Sequence, residues 1–291
     1  MGRIIKKFFP TIKWAIDIWD DPLLIEIQPR DFFKKALYSF YKLTVKRIIK
    51  HADIAICIGT NYNDPLPRKL IDIYNLEKNK IYLVPNGVSF KFFNSITSNV
   101  SKKNFNIIYV GYIKSYLGLD ILLKSFKLVI TWLKKYNFKL ILVGFANEED
   151  MRWLSRTIKD LAIEEYVEYK GVLPFEEIPF LLSYSDVGIY PFPPKNGLEE
   201  VIPIKVLEYL AANLPVVATN LNGVKKIVKH KLNGIIVDYN SISMAKAIIE
   251  LCKNNRLRKQ LKLNARKSVI NYDWSIINQN IAQHIYKMLE G

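Results

Sequence analysis

The sequence predicts an α/β protein in which one complete, doubly wound domain follows a partial domain of the same kind. Short apolar runs typical of strands alternate with longer segments of helical period, an order that favours parallel sheets. The chain has 291 residues, of which 50% are apolar, so it is long enough and apolar enough to build two modest cores. No run approaches the roughly 20 apolar residues that span a bilayer.

The first alternation, which we assign to residues 1–94, contains only three predicted strands. The Asn86-Gly87 pair after the third strand has the chemistry of a turn. The predicted elements, in order, are a strand over 13–18, a helix over 30–50, a strand over 52–59, a helix ending near Tyr74 and a strand over 80–84.

The helix predicted over residues 30–50 is amphipathic and strongly basic. Its apolar positions recur with a helical period, and six lysine and arginine side chains crowd its other faces. Such a helix either packs on a sheet, which is the commoner case, or lies on an anionic membrane surface.

The second alternation, residues 105–274, is complete, and a polar stretch without periodicity, 94–104, separates it from the first. A last helix within 275–291 is a candidate to cross back to the first domain. The predicted strands cover 105–111, 138–144, 166–171, 186–192, 215–218 and 234–239. The predicted helices cover 118–136, 148–162, 175–184, the segment after Pro203, 223–229, 242–253, 256–270 and 275–289.

The formal net charge of +16 indicates an anionic partner or a coding bias towards lysine. The lysines are spread along the whole chain and no nucleic-acid motif is present, so we rank a basic nucleic-acid-binding protein last among the functions considered. Diphosphate substrates and anionic lipid headgroups fit the charge better. Cys57 and Cys252 lie far apart in apolar contexts, which indicates reduced core residues and a cytoplasmic location, with membrane association at the inner face.

The stretch from Gly197 to Thr219 organises the second domain. Pro203 favours the start of a helix, because proline is well tolerated in a first helical turn. Asn213 can adopt the left-handed conformation that ends a helix, and a buried strand is predicted after it. Lys205 and Glu208 are three positions apart, so both can face the same side of the helix. The start of a helix presents free N–H groups and a positive dipole end, which suit a phosphate.

Three patterns in this stretch resemble the donor-binding helix of retaining glycosyltransferases of family 4. They are E-x7-E from Glu200 to Glu208, the P-x-K-x-x-E-Y-x-A core, and the P-V-V-A-T that follows. The resemblance extends over nearly all of the chain from about Trp14. It implies a GT-B-like fold of two Rossmann-like domains, and retaining transfer of a hexose from a UDP- or GDP-sugar to a glycan or lipid-linked acceptor. It also implies no metal or other cofactor, and the sequence has no Asp-x-Asp and no clustered histidines.

The resemblance assigns roles to matching positions. Glu200 would contact hydroxyls of the donor sugar, Glu208 the ribose hydroxyls and Lys205 the phosphates, each by hydrogen bonds suited to its side chain. Backbone N–H groups around Val201 and Ile202 would complete the phosphate nest. The segment Gly171-Val172-Leu173 is either the place where the nucleobase packs or an ordinary turn at the end of a strand.

The sequence departs from the family after the strand that ends at Gly111. Tyr112 and Leu117 occupy the positions where the family has an arginine and a lysine that clamp the diphosphate. Lys114 in the same loop either substitutes for them or is solvated. In the first domain, Asp20 is our candidate for the acceptor side of the reacting centre; the alternative is that it initiates the turn before Pro22.

The front strands of the first domain and their glycine-rich loop are missing relative to the family pattern. A three-stranded half sheet leaves an unpaired edge, and we predict that this edge meets a partner chain supplying the missing strands. Two readings therefore remain: a glycosyltransferase, or a non-catalytic or partner-dependent subunit of a split one.

Overall fold

The computed structural model describes residues 13–19, 32–93, 104–194 and 198–290. The described chain divides into two compact units. One comprises the residues up to Asn86 together with those from Ile277 onward, and the other runs from Gly87 to Ile276. No helix in the described ranges is both long and apolar enough to cross a bilayer.

The first unit contains a three-stranded parallel sheet in the order β1-β2-β3. The final helix lies with this unit, where the ring of His284 stacks on Tyr82 with centroids 4.0 Å apart. The elements are β1 Ala15–Ile18, α1 Phe32–Lys50, β2 Ile54–Ile58, α2 Pro65–Asp72 and β3 Ile81–Val84, with α10 Trp274–Glu290 at the end of the chain.

Helix α1, over residues 39–50 whose side chains the structure describes, contacts the core of this unit along a narrow stripe. Ile49 is buried and Val45 is partly buried, whereas Phe40, Leu43 and Ile48 are exposed. Over the described side chains of α1, residues 39–50, the sheet-packing interpretation therefore holds for one face only.

The second unit is a six-stranded sheet whose neighbouring strands are all parallel. Its strands are β4 Phe105–Val110, β5 Phe138–Val143, β6 Val167–Tyr169, β7 Val187–Tyr190, β8 Val216–Thr219 and β9 Gly234–Val237. Its helices are α3 Leu119–Trp132, α4 Glu148–Asp160, α5 Ile178–Tyr184, α6 Ile204–Ala211, α7 Asn222–Ile227, α8 Ser241–Lys253 and α9 Asn255–Ala265.

Strand β4 is buried on both faces, which explains its continuous apolar run. Ile107 and Tyr109 belong to the core on one side of the sheet, and Ile108 and Val110 to the core on the other. The strand order β6-β5-β4-β7-β8-β9 reverses direction between β4 and β7. In such sheets ligands bind beyond the carboxyl ends of the strands at this switch point, so a site is expected beyond the ends of β4 and β7, a region called the switch-point crevice below.

The boundary between the units differs from the predicted linker at 94–104. Residues 87–93 belong to the second unit because Phe90 and Phe93 are buried in its core. The guanidinium of Arg266 donates to the carbonyl oxygens of Phe93 at 3.0 Å and Phe90 at 3.3 Å. Val88 N–H donates to the Tyr272 carbonyl at 2.8 Å. These long-range contacts carry no local sequence signal.

Two helices end four or more residues earlier than predicted. The helix predicted over 118–136 ends at Trp132, since Leu133 leaves the helical conformation and Tyr136 N–H closes a turn onto the Leu133 carbonyl. The helix predicted over 256–270 ends at Ala265 and continues as a 3₁₀ segment, Arg266–Tyr272.

Candidate functional site

Helix α6 is built as its sequence predicts. Pro203 caps it in an extended conformation, and Val206, Leu207 and Leu210 are fully buried against the sheet. Asn213 adopts a left-handed conformation with φ of 56°, which confirms the predicted stop. The Leu214 N–H then returns to the Tyr209 carbonyl at 2.9 Å, satisfying a helix-end acceptor.

Lys205 and Glu208 form an ion pair along one side of α6. The Lys205 ammonium lies 2.9 Å from Glu208 Oε2 and 3.3 Å from Oε1. The Glu208 side chain is only 6% exposed, whereas that of Lys205 is 37% exposed. Burial raises the pKa of the Glu208 carboxyl, and the neighbouring Lys205 partly opposes that rise.

Tyr209 attaches α6 to the end of β4. Its hydroxyl accepts a hydrogen bond from Val110 N–H at 2.9 Å. The ring crosses β7 at Gly188, where a Cβ would lie 2.6 Å from the ring, so only glycine fits. Tyr209 was not among the predicted site residues; the available signal was the tyrosine directly after Glu208 together with the glycine inside a strand.

Helix α7 is hydrogen-bonded to the short 3₁₀ turn Leu198–Glu200. The Asn222 side-chain amide donates to Glu200 Oε1, and the Lys226 ammonium donates to the Glu200 carbonyl oxygen at 2.7 Å. At Gly223, a Cβ would lie 1.9 Å from the Val201 carbonyl oxygen, so the helix backbone packs directly on the Glu200-Val201 segment. Asn222, Gly223 and Lys226 were not among the predicted site residues, and the available signal was the glycine at the start of the helix predicted over 223–229.

The loops after β4, β5 and β6 meet through three glycines. Gly144 N–H donates to the Gly171 carbonyl at 2.8 Å, and a Cβ on Gly144 would lie 1.9 Å from the Gly111 carbonyl oxygen. Gly144 and Gly171 both have positive φ values, 139° and 68°. Val172 is 68% exposed and Leu173 packs on the core, so the predicted nucleobase segment has one open and one anchored side chain. Gly144 was not singled out, although each of the three strands is followed by a glycine.

Lys114 is engaged within its own unit. Its ammonium lies 3.3 Å from Asp150 Oδ2 and 5.6 Å from the centroid of the Tyr116 ring. The hydrogen bond with Asp150 raises the pKa of Lys114. Asp150 also closes the capping box of α4 with Asn147. Tyr112, in the position where the family has an arginine, is 60% exposed.

Most of the predicted residues follow β4, β6 or β7 in the chain, at the carboxyl edge of the sheet where the switch-point site is expected. Glu200, Val201, Ile202, Lys205 and Glu208 follow one another along the turn and α6, with Ile202 buried and Val201 37% exposed. Gly111 directly follows Val110 at the end of β4. Because the Tyr209 hydroxyl of α6 accepts a hydrogen bond from Val110 N–H, the end of β4 is in contact with α6. Asp20 and Gly197 lie outside the described residues. Within the described ranges, no group of three or more His, Cys, Asp or Glu side chains is placed to hold a metal ion.

The chain is similar to glycosyltransferases of several organisms. It is 25% identical over 245 residues to an uncharacterised glycosyltransferase of Methanocaldococcus jannaschii, covering 80% of this chain and 60% of the relative. It is 26% identical over 223 residues to the capsular polysaccharide biosynthesis glycosyltransferase CapM of Staphylococcus aureus, covering 72% of this chain and 56% of CapM. The chain thus spans about three fifths of the length of these curated relatives.

Among solved structures, Anabaena HepE in complex with UDP and glucose matches with a TM-score of 0.68 and 19% identity, covering 98% of this chain and 74% of HepE. This likeness confirms the predicted GT-B-like α/β fold. The family model described as Glycosyl transferases group 1 matches residues 91–268, which include α6, its glutamates and the glycine loops. The chain therefore belongs to the Glycosyl transferases group 1 family.

Proposed function

We propose that the protein takes part in retaining transfer of a hexose from a UDP- or GDP-sugar to a glycan or lipid-linked acceptor. The observation that carries the proposal is the buried Glu208 carboxylate, held by Lys205 on α6 at the switch-point crevice. Two similarities support it. The HepE structure contains UDP and glucose, and CapM is named for capsular polysaccharide biosynthesis.

In this proposal Glu208 binds the ribose hydroxyls. A carboxylate offers about four acceptor positions, and the Lys205 ammonium occupies one on each oxygen, so acceptors remain for two neighbouring hydroxyls. Because Glu208 is almost fully buried, these bonds form in a medium of low polarity and are stronger than the same bonds in water.

Lys205 stabilises the leaving diphosphate in the same proposal. The Lys205 side chain is more than a third exposed and sits in the first turn of α6, where the positive end of the helix dipole also favours an anion. This arrangement provides fixed positive charge at the leaving group, and we propose that transfer needs no metal or other cofactor. Backbone groups at Val201 and Ile202 would add to the nest around the phosphates.

The acceptor side belongs to the first unit. We keep Asp20 as the proposed acceptor-side residue. We also propose that α1 rests on the anionic inner face of the cytoplasmic membrane: Phe40 and Leu43 are 68% and 51% exposed, and the exposed Lys46 and Arg47 lie on the same helix. Apolar and basic side chains together suit a headgroup region, where a lipid-linked acceptor would be found.

A second candidate function is a donor-binding subunit that transfers sugar only with a partner chain. It is favoured by the loop after β4, where Tyr112 replaces a cation and Lys114 is paired with Asp150. Strand β1 also lies at the edge of the described three-stranded sheet, a position at which further strands can pair. In this candidate function the partner chain would supply the loop groups for the diphosphate.

Calorimetric titration with UDP, UDP-glucose, GDP and GDP-mannose tests the donor site. We expect either the two uridine ligands or the two guanosine ligands to bind. Glu208→Ala should weaken the binding of both ligands that wild type binds. Glu164→Ala, which removes an exposed carboxylate outside the crevice, is the matched control and should bind normally. No nucleotide binding by the intact chain would refute the donor site. Nucleotide binding without sugar transfer to glycan or lipid-linked acceptors would favour the partner-dependent candidate.

A further inference from the structure

We propose that Glu199 is a specificity-determining residue for the donor, and that its carboxylate accepts a hydrogen bond from a hydroxyl of the transferred sugar. The inference rests on the donor site proposed above and goes beyond it, because the family pattern assigns the sugar hydroxyls to Glu200 alone. The structural reason is a difference in hydrogen bonding between the two adjacent glutamates.

The carboxylate of Glu200 is already engaged. Its Oε1 accepts the side-chain amide of Asn222, and its backbone carbonyl accepts the Lys226 ammonium. These contacts, together with the packing of Gly223 on the next peptide, fix the turn in place before any ligand arrives. Glu200 therefore serves in part to hold the turn.

The carboxylate of Glu199, unlike that of Glu200, has an oxygen without a hydrogen-bond partner among the described residues. Its Oε2 is buried and has no hydrogen-bond partner within the described part of the chain. Buried polar atoms in folded proteins nearly always have a partner, and leaving one without costs about 1–3 kcal/mol, so an orphaned oxygen calls for an explanation. A bound ligand that donates a hydrogen bond provides one.

The chemistry of the donor identifies the ligand group. A carboxylate oxygen accepts hydrogen bonds and repels phosphate, so the diphosphate is excluded. The ribose hydroxyls are assigned to Glu208 on α6, which leaves the hydroxyls of the sugar. Successive residues of a 3₁₀ turn project about 120° apart, so Glu199 and Glu200 leave the turn in different directions and meet different groups.

Substitution changes the melting temperature differently for a residue that binds a ligand and for a residue that stabilises the fold. If the orphaned oxygen serves the sugar, replacing Glu199 by methionine, which has a similar length and no carboxylate, removes an unsatisfied buried atom. The ligand-free protein should then melt at the same or a higher temperature. If Glu199 supported the fold, the same change would lower the melting temperature.

The experiment compares wild type, Glu199→Gln and Glu199→Met in calorimetric titrations with UDP, UDP-glucose and UDP-galactose, or with GDP and GDP-mannose where wild type prefers guanine. We expect affinity for the nucleotide alone to stay within about twofold. Affinity for the preferred nucleotide sugar should fall roughly tenfold or more in Glu199→Met, the loss expected for one hydrogen bond to a charged acceptor. Discrimination between sugar epimers should shrink with it.

Three results would overturn the proposal for Glu199. One is an equal loss of affinity for nucleotide and nucleotide sugar, another is unchanged affinity for both, and the third is a lower melting temperature with unchanged sugar discrimination. In each case nucleotide binding by wild type would leave the proposed donor site intact. Absence of nucleotide binding by wild type would remove both proposals together, so the two failures are distinguishable.

Discussion

The ammonium of Lys205 bridges both oxygens of Glu208, at 2.9 Å and 3.3 Å, one helical turn apart on α6. The pair is asymmetric, because the Glu208 side chain is buried and the Lys205 side chain is more than a third exposed. Glu208 is thereby held in one orientation for a ligand in the crevice. Lys205 retains a solvent-facing side from which it can reach an anion.

Lys205→Ala should slow sugar transfer more than it weakens binding of the nucleotide sugar. The lysine acts most strongly as charge builds on the leaving diphosphate, whereas the ribose contacts remain with Glu208. We expect kcat to fall roughly tenfold to a hundredfold with a smaller change in Kd. Unfolding stability should also fall by about 1 kcal/mol, a modest figure because solvent screens the exposed lysine.

Steady-state kinetics beside calorimetry separate the two effects of Lys205→Ala. Lys253→Ala, which removes a lysine at the exposed end of α8, is the control and should leave both parameters unchanged. A variant with wild-type kcat and weakened Kd would mean that Lys205 only orients Glu208.

The raised pKa of Glu208 makes folding stability depend on pH. The folded protein holds the proton of this carboxyl more tightly than the unfolded chain, whose value is near 4.5. The stabilising contribution is therefore full below about pH 4.5 and is lost as pH rises through the higher, folded value. In Glu208→Gln this contribution is absent, so the stability difference between wild type and variant should shift in favour of the variant as pH rises from about 4 to 7.

Urea denaturation of both proteins across that range measures the prediction, and the two stability curves should not be parallel. Parallel curves would show that Lys205 cancels the effect of burial. Donor binding follows the opposite trend, because the carboxylate form accepts the ribose hydroxyls and so affinity should fall on acidification.

Much of the second unit could be predicted because its signals are local. Strands buried on both faces appear as continuous apolar runs, as in β4 and β8, and the left-handed Asn213 precedes a proline. Asn222, Gly223 and Lys226 were missed for the opposite reason. Each acts on a segment more than 20 residues away, and no periodicity reports such a contact.

The same reason limits what the sequence says of the site. A motif marks Glu200 and Glu208, but it cannot show that Glu200 already has a partner while Glu199 has an oxygen without one. It also cannot show that Lys114 is paired with Asp150, since Lys114 lies in the loop after β4 and Asp150 lies in the first turn of α4. The positions of candidate groups were predictable, whereas their hydrogen-bonding state was not.

Gly223→Ala should disturb the site through the Glu200-Val201 segment. The new methyl group would lie 1.9 Å from the Val201 carbonyl oxygen, so α7 or the turn has to move. We expect a loss of about 1–3 kcal/mol in unfolding free energy and a larger relative loss of sugar binding. At Gly171 a Cβ meets nothing within 4 Å, so Gly171→Ala suffers only from its positive φ. Chemical denaturation and calorimetry on both variants check this prediction. Normal donor binding by Gly223→Ala would show that close packing of α7 on the Glu200-Val201 segment is not needed for the site.

Tyr209→Phe should destabilise the second unit by about 1–3 kcal/mol. The change removes the acceptor of the buried Val110 N–H and leaves that donor unsatisfied. Tyr190→Phe is the control, because the Tyr190 hydroxyl makes no hydrogen bond within the described residues. Thermal unfolding of the two variants should differ clearly. Equal melting temperatures would mean that Val110 N–H finds another partner.

Tyr112→Arg should restore a cation to the loop after β4. The position is 60% exposed and follows Gly111 directly, and the one lysine of this loop is paired with Asp150. If departure of the diphosphate limits the rate, an arginine there should raise kcat, by about tenfold for each 1.4 kcal/mol of added stabilisation. Tyr116→Arg adds the same charge to the same loop at a similarly exposed position and is the matched control. If Tyr112→Arg is no faster than Tyr116→Arg, the positive charge that stabilises the leaving group comes from elsewhere, either from Lys205 or from a partner chain. Measuring the rate with the partner chain added would decide between these two sources.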